Sequence, residues 1–401
     1  MKHKILFVDD NQNLLSGIKA MLRSRRKEWA CRFASNGEDA VKLIQQESFD
    51  AVVSEIHMPG MSGIDFLKIV EKLQPATIRI ILSGYSEVQT ILKSTTCAHQ
   101  FISKPCRSKT LIETIQRLTK LRHILNNNEI STMVARLNSL PAIPDLYLKI
   151  CAELEKADPS LDRVGKFVEK DPGVSATILK VVNSAFFGFY STISSPSHAV
   201  TLLGTEAVKG LVLGVHLLNE IDLSSLAGYS VDKLWTHSLQ TGDFAKTIAK
   251  LESTDKTFIG ACYVAGILHD VGKLIFVTNM DSIYKPVLIE VRKMGGPISL
   301  SESNKLGVNH AAIGAYLLGL WGFHEDIVSG ISDHHTPEES GEGLTVALVV
   351  HAANTLQHEL SSPDSNFVFS PINLELLEKQ GFSERLPEWL EACGKCINKT
   401  D

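Results

Sequence analysis

The chain has 401 residues, which is long for a single hydrophobic core and suits two or three domains. Its formal net charge of −5 leaves no excess of lysine and arginine, so we do not expect broad electrostatic binding to nucleic acid or to an anionic membrane. Seven cysteines, an odd number spread over a long chain, predict reduced thiols and a cytoplasmic location.

The first 120 residues alternate short runs rich in β-branched residues with amphipathic segments. This alternation is typical of a parallel sheet flanked by helices. Apolar residues at helical spacing are found over 11–25, 37–46 and 108–125. The predicted strands cover 4–8, 30–34, 50–55, 77–82 and 99–102. The sequence therefore predicts a doubly wound α/β domain with a five-stranded parallel sheet over residues 1–120.

Apolar residues at helical spacing continue past this domain toward a polar stretch at 126–129. We therefore predict a helical linker over residues 121–135, through which two copies of the chain would form a homodimer.

Beyond residue 130 the strand signals nearly vanish and the apolar periodicity becomes helical. We predict an all-α domain over residues 136–360, and a C-terminal extension over 361–401 that packs on this domain or follows it. The more polar segment 278–305, which contains Gly295, Gly296 and Pro297, is predicted to be a loop within the helical domain.

Two other features are interpreted without invoking a further partner. The apolar runs at 211–218 and 346–353 fall short of the roughly 18 residues that span a bilayer, so they predict buried helices and no membrane partner. Cys393 and Cys396 form a C-x-x-C pair, but without a second pair we interpret the spacing as chance rather than as a metal or redox site.

Polar side chains gather at the predicted strand ends of the first domain. Asp9 and Asp10 follow the first strand, Glu55 ends the third, Ser83 follows the fourth and Lys104 follows the fifth. In a doubly wound sheet these carboxyl ends meet at one edge. Carboxylates beside a hydroxyl and a lysine suit Mg²⁺ and a phosphoryl group, because the metal prefers hard oxygens and phosphoryl oxygens need cationic partners.

This constellation resembles the receiver domain of response regulators, over about residues 1–120. The resemblance assigns the family's acidic pair to Asp9 and Asp10, its hydroxyl residue to Ser83, its lysine to Lys104 and its switch aromatic to Phe101. The segment EIHMPGMSG at 55–63 is also close to the family pattern. Receivers carry a phosphate-accepting aspartate where this sequence has Glu55, so the receiver is atypical.

Glu55 leaves three interpretations open. It mimics a phosphoaspartate by reaching toward Ser83 and Lys104, or it makes the domain a phosphorylation-independent docking module, or it is a tolerated change in a pocket that still accepts phosphate. The extra methylene moves the carboxylate outward by about a bond length, and reaction geometry tolerates little such error. Asp50 and Asp65 are too far from the acidic pair to act as substitutes.

Histidines of the second half fall in contexts that suggest one cluster. Imidazoles and a bridging carboxylate suit divalent transition metals, which could activate water for phosphoester hydrolysis. The adjacent His-Asp pair in AGILHDVGKL is the sharpest element. The candidate ligands are His237, His269, Asp270, His310, His334 and His335.

The arrangement resembles the HD phosphohydrolase superfamily, and other segments resemble its HD-related output domain, HDOD. These segments are LPAIPDLYLKI at 140–150, DPGVSATILKVVNSAFFG at 171–188 and LLG at 202–204. Active HD enzymes complete the ligand set with a later aspartate, for which this sequence has Asn354 in LVVHAANTL. His351, one turn earlier on the same helix face, is a candidate replacement. The resemblance implies a signalling module without catalysis.

The sequence therefore predicts a bacterial two-component-type regulator of phosphorelay signalling. We expect its output domain to bind a protein, such as a kinase or a downstream effector, or a nucleotide second messenger. The alternative is a metal-dependent phosphohydrolase that acts on a nucleotide or a cyclic dinucleotide. Nucleic-acid binding is less expected, because no basic recognition helix is found among the output helices.

Overall fold

The fold is known from a computed structural model. The structure describes residues 2–84, 98–104, 111–116, 145–154, 156, 158–182, 193–219, 231–360 and 372–397. The chain forms two compact units, the first built mainly from residues 1–142 and the second mainly from residues 143–401.

The first unit is a doubly wound α/β domain. Its strands are β1 (His3–Val8), β2 (Trp29–Ala34), β3 (Ala51–Ser54), β4 (Ile78–Gly84) and β5 (Gln100–Lys104). Its helices are α1 (Gln12–Met21), α2 (Gly37–Gln46) and α3 (Gly63–Leu73), with a 3₁₀ turn at Leu22–Arg25 and a helical segment over 111–116.

The sheet has five parallel strands in the order β2-β1-β3-β4-β5. The predicted α/β class and strand number are confirmed, and the predicted strand ends lie within two residues of the observed ones. Strand β3 is buried at every residue, as expected when helices cover both faces of a parallel sheet. Asn11, Asn36 and Ser62 cap the three helices by accepting hydrogen bonds from first-turn N–H groups.

The second unit is helical throughout the part of the chain that the structure describes, as predicted. Its long helices include α9 (Val231–Glu252), α10 (Lys256–Leu268), α11 (Val271–Met294) and α15 (Val346–Leu360). The helices that precede them are α4 (Asp145–Leu154), α5 (Leu161–Val168), α6 (Pro172–Val182), α7 (Pro196–Leu203) and α8 (Thr205–Asn219). The others are α12 (Ile298–Leu306), α13 (His310–Leu320), α14 (Glu325–Ser332), α16 (Leu374–Gln380) and α17 (Leu386–Ile397).

The predicted loop over 278–305 is wrong, because this segment lies mostly in helices α11 and α12. Tyr284, Val287, Leu288 and Val291 are buried and repeat at the i, i+3, i+4, i+7 spacing of a helix face. Several polar residues of the same segment, such as Lys293, Asn304 and Lys305, are exposed, and the number of polar residues hid that periodicity. Only the turn at 295–297, where two glycines have φ of 72° and 101°, was anticipated correctly.

The C-terminal extension contacts the helical domain. Trp389 of α17 is fully buried, and its indole Nε1 donates to Glu252 Oε1 at 2.7 Å. Arg385 donates to the same carboxylate at 2.7 Å. The predicted domain boundaries stay predictions, and the linker over 121–135 lies outside the described residues.

One helical stretch, Lys256–Val277, is long and apolar enough to cross a membrane, and 78% of its apolar window is buried inside the structure. The sharply bent pair Pro196–Leu203 and Thr205–His216 passes the same test only if taken as one span. Core helices of globular domains share this composition when they are buried.

Candidate functional site

Three of the predicted receiver residues meet at the carboxyl edge of the sheet. Asp9 follows β1, Glu55 follows β3 and Lys104 ends β5. The Lys104 ammonium donates from Nζ to Asp9 Oδ2 at 2.6 Å and also to Glu55 Oε2. Asp9 and Glu55 are buried, whereas Asp10 is exposed. One lysine therefore bridges two buried carboxylates.

The loop after β3 fixes the position of Glu55. Its backbone N–H donates to Val8 O at 2.9 Å, and its Oε1 accepts from the N–H of Ile56 at 2.6 Å. Gly63 comes so close that an added Cβ would lie 1.8 Å from Glu55 O, so only glycine fits there. Glu55 is thus held by hydrogen bonds at its backbone and at its carboxylate.

Charge pairing decides the protonation state of Lys104. Burial alone would lower the pKa of Lys104, but its hydrogen bonds to Asp9 and Glu55 outweigh burial and raise that pKa above its ordinary value. Lys104 is therefore a cation at neutral pH. Ser83 and Phe101 lie in β4 and β5, and their side chains are outside the described part of the chain.

All six predicted histidine-site ligands come together in the helical domain. His237 lies in α9, His269 and Asp270 lie between α10 and α11, and His310 begins α13. His334 and His335 follow the end of α14. Short breaks between helices thus supply most of the ligands, since a helix end can aim a side chain and a backbone group at the same point.

The ligand atoms form two groups, and within each group they lie within 4.8 Å of one another. One group is His237, His269 and Asp270, and the other is His310, His334 and His335. Asp270 connects them, because its Oδ1 is 3.1 Å from His310 Nε2 and its Oδ2 is 3.5 Å from His269 Nε2. Lys273 also contacts this carboxylate, with Nζ 2.6 Å from Oδ2.

Hydrogen bonds at Nδ1 set the direction of the imidazole rings. A carbonyl or carboxylate oxygen can only accept, so the bonded Nδ1 carries a proton and Nε2 is the nitrogen that faces the cluster. The acceptors are the Gly266 carbonyl for His269 at 2.8 Å, the Ile331 carbonyl for His334 at 2.7 Å and the Glu302 carboxylate for His310 at 2.6 Å.

Electrostatics favour neutral imidazoles at most of the cluster histidines, beside an ionised carboxylate. His310 differs, because burial alone would lower its pKa, but the neighbouring carboxylates of Glu302 and Asp270 outweigh burial and raise that pKa above the ordinary value. Burial lowers the pKa of His269 to about 3, and it lowers the pKa values of His334 and His335 well below the ordinary value. Burial alone would raise the pKa of Asp270, but its neighbours His269 and Lys273 hold that pKa well below its usual range. This is the donor set that divalent transition metals prefer.

Comparison with known families decides the identity of both parts. Residues 5–116 match the response regulator receiver domain. Residues 140–337 match the HDOD domain. The chain joins a receiver domain to an HDOD domain. The receiver resemblance and the HDOD resemblance predicted from the sequence are thus confirmed.

Curated relatives match only part of their own length. An uncharacterized protein of Treponema pallidum (strain Nichols) is 28% identical over 241 residues, which are 56% of this chain and 45% of that protein. The hydrogenase transcriptional regulatory protein HoxA of Bradyrhizobium diazoefficiens is 34% identical over 127 residues, which are 31% of this chain and 26% of HoxA. The chain therefore spans less than half the length of these relatives.

Solved structures resemble each domain. An HDOD domain protein of unknown function from Geobacter sulfurreducens is 23% identical, with a TM-score of 0.49, and the match covers 71% of this chain and 93% of that one. The receiver domain of an HD domain-containing protein from Pseudomonas fluorescens Pf-5 is 25% identical, with a TM-score of 0.30, and the match covers 31% and 99%.

Helix α15 of the HDOD domain places Asn354 near His237, and the buried Asn354 Oδ1 has no hydrogen-bond partner among the described residues. On the same helix His351 Nδ1 donates to the backbone oxygen of His334 at 2.9 Å, so His351 supports the cluster from its edge. His358 stacks on His237 with ring centroids 4.5 Å apart. His358 was not predicted as a site residue, although its i+4 spacing from Asn354 is visible in the sequence.

Glu302 of α12 is the other residue that the sequence analysis missed. Its carboxylate is fully buried and accepts hydrogen bonds from both the backbone N–H and Nδ1 of His310. It lies in the segment that had been predicted to be a loop, and no local motif marks it. Its role depends on a contact between helices, which a single sequence does not display.

Proposed function

We propose that this chain is a signal-transduction regulator whose receiver domain works without phosphotransfer and whose HDOD domain acts by binding a protein or a ligand. The observation that carries the proposal is the ion pair between Glu55 and Lys104. The pairing of a receiver with an HDOD domain supports the signalling role.

Both oxygens of the Glu55 side chain are engaged. Oε2 pairs with the Lys104 ammonium, and Oε1 accepts from the Ile56 N–H. Phosphoryl transfer needs a carboxylate oxygen aligned with the incoming phosphorus, and displacement by the extra methylene works against such alignment. We infer that Glu55 holds the domain in one state, whether a partner reads that state as the phosphorylated form or as a docking surface.

Mg²⁺ would meet a competitor in this pocket. Asp9, Asp10 and Glu55 offer the hard oxygen ligands that Mg²⁺ prefers. The Lys104 ammonium already bridges Asp9 and Glu55, so Mg²⁺ would have to displace the ammonium from at least one of these carboxylates. We therefore expect weaker Mg²⁺ binding than in a pocket whose lysine leaves the acidic residues accessible.

The test of the receiver proposal is incubation of the full chain with acetyl phosphate and Mg²⁺, followed by intact mass measurement. We expect no added phosphoryl group on the wild type, and one on E55D, which restores the shorter carboxylate and serves as the matched control. A wild-type chain that gains a phosphoryl group as readily as E55D would contradict the proposal.

The histidine cluster fits a divalent transition metal. His334 Nε2 is buried and has no hydrogen-bond partner among the residues that the structure describes, and it belongs to one of the two ligand groups. We propose that His237, His269 and Asp270 hold one ion and that His310, His334 and His335 hold another. A bound metal would polarise a phosphoester or lower the pKa of a coordinated water.

A metal-dependent phosphohydrolase is the second candidate function, and the link that Asp270 makes between the two ligand groups favours it. Asn354 argues against it, because a neutral amide is a poorer ligand than the aspartate that completes active HD sites. We propose that the metal centre shapes a binding surface. Metal analysis of chelator-free protein and a screen of nucleotides and cyclic dinucleotides test this, and turnover that disappears in H269A would establish the phosphohydrolase instead.

The partners are proposed by class. We propose a kinase or a downstream effector as the protein partner, and a nucleotide second messenger as the alternative ligand. A pull-down with residues 131–401 would identify the class. A homodimer through the linker and a cytoplasmic location stay predictions.

A further inference from the structure

A buried carboxylate lies directly behind one half of the histidine cluster. Glu302 Oε2 accepts from the His310 backbone N–H at 2.8 Å and from His310 Nδ1 at 2.6 Å. Glu302 Oε1 accepts from the Tyr284 hydroxyl at 2.7 Å. The helices α11, α12 and α13 thus converge on one carboxylate that is itself outside both ligand groups.

Local structure explains how Glu302 reaches His310. Helix α12 ends at Gly307, which adopts a left-handed conformation with φ of 77°. The chain then reverses within a few residues, and Asn309 accepts from Ala312 N at 2.9 Å as α13 begins. This turn brings the first residue of α13 back over the last turns of α12. Glu302 can therefore hold both the backbone and the ring of His310.

We propose that Glu302 is a positioning residue that fixes the tautomer and orientation of His310 and strengthens its binding of a divalent metal. The inference rests on the metal centre proposed above. With a proton held at Nδ1 by Glu302, His310 Nε2 is left as the nitrogen for a metal, and it faces Asp270 Oδ1 at 3.1 Å and His335 Nε2 at 3.0 Å. His310 is thus aimed at the point where the two ligand groups meet.

The charge of Glu302 is what this role requires. The carboxylate of Glu302 contacts His310 and the Tyr284 hydroxyl, and the side chains of Glu302 and His310 are both fully buried. Burying a carboxylate costs free energy, which its hydrogen bonds to His310 and Tyr284 must offset. A carboxylate on the far nitrogen of a metal-binding imidazole raises the basicity of that ligand, and loss of such a partner typically weakens metal affinity about 10–100-fold.

The first experiment is a titration of the chelator-treated full chain with Co²⁺, in which calorimetry and the visible absorption of Co²⁺ measure binding. E302Q removes the charge but keeps an oxygen for His310, while its amide NH₂ can face the Tyr284 hydroxyl. We expect E302Q to weaken Co²⁺ binding about tenfold or more. Y284F, which leaves both bonds to His310 in place, is the matched control and should change the affinity by less than about threefold.

The second experiment needs no metal. Side-chain ¹⁵N chemical shifts of His310 report its tautomer, which we expect to be Nδ1–H in the wild type and mixed in E302L, which has no acceptor. Circular dichroism checks that each variant is folded, and E302Q remains informative if E302L is not.

The outcomes separate the two proposals. A wild-type chain that binds Co²⁺ while E302Q binds it equally tightly would overturn the positioning role and leave the metal centre standing. A wild-type chain that binds no Co²⁺ would overturn the metal centre and, with it, the role of Glu302 in metal binding. In that case the His310 shifts would still decide whether Glu302 fixes the ring.

Discussion

The bridge that Lys104 makes between two carboxylates predicts a large effect of K104M on the receiver domain. Without the ammonium, Asp9 and Glu55, which are 2% and 8% exposed, would face each other as unpaired charges. Removing one partner of a buried ion pair costs about 3–5 kcal/mol. Because the Lys104 side chain is 23% exposed, solvent screens part of this cost, and we expect a loss of about 2–3 kcal/mol in the free energy of unfolding.

A double-mutant cycle isolates the Glu55–Lys104 pair. E55Q alone should cost less than K104M, since Asp9 keeps its bond to Lys104 at 2.6 Å. The double variant E55Q/K104M should be more stable than the sum of the single losses implies, with a coupling energy of about 1–2 kcal/mol. D10N, at an exposed position, is the matched control and should change stability by less than about 0.5 kcal/mol.

Hydrogen exchange of backbone amides in β1 and β3 measures the local opening free energy in the intact chain. The pH dependence gives a second check. The pKa of Lys104 is raised above its ordinary 10.5, so its stabilisation is fully present below that pH and is lost as the pH rises further. A coupling energy within about 0.3 kcal/mol of zero would refute the bridge as a stabilising feature.

Two further predictions concern the HDOD domain. G272A should destabilise this domain by about 2–3 kcal/mol and weaken Co²⁺ binding, because a Cβ added to Gly272 would lie 1.9 Å from His310 O. The control is G260A, where an added Cβ meets no atom within 4 Å, and it should be neutral or stabilising in thermal unfolding. Burial raises the pKa of Asp243 to about 7, so the stability that its protonated form allows should be lost as the pH rises from about 4 to about 7. In urea unfolding measured across this pH range, D243N should reduce the pH dependence of the free energy of unfolding. D158N, at an exposed position, should leave that dependence unchanged, and equal pH profiles for the two variants would contradict the role of Asp243.

The receiver fold was predictable from the sequence because its signals are local. Strands buried on both faces are short apolar runs, and the helices between them carry their own capping residues, such as Asn36. Parallel strands also place their carboxyl ends at one edge, so the meeting of Asp9, Glu55 and Lys104 follows from topology alone. The bridging position of the Lys104 ammonium was not predictable, because it depends on the conformation of the Lys104 side chain.

The residues of the histidine cluster were predictable from the sequence, but the orientation of their side chains was not. Adjacent His269 and Asp270 at a helix break are visible in the sequence, whereas the direction of each ring depends on an acceptor elsewhere in the fold. Glu302 was hidden because its helix has a polar outward face, so hydropathy suggested a loop. Its contact with His310 joins two helices through a turn whose geometry no residue pattern fixes.

The two domains depart from their families in a related way. In the proposed assignment, Glu55 keeps a carboxylate at the acceptor position but displaces it, and Asn354 replaces a charged ligand near His237 with a neutral amide. In each case the surrounding partners retain their geometry, since Lys104 still bridges its carboxylates and the imidazoles still present Nε2. A reaction depends on the position and charge of one group far more steeply than a binding surface does. Single changes of this kind are therefore expected to weaken chemistry while leaving the shape and polarity that recognition needs, and this is the reason that we propose binding for both domains.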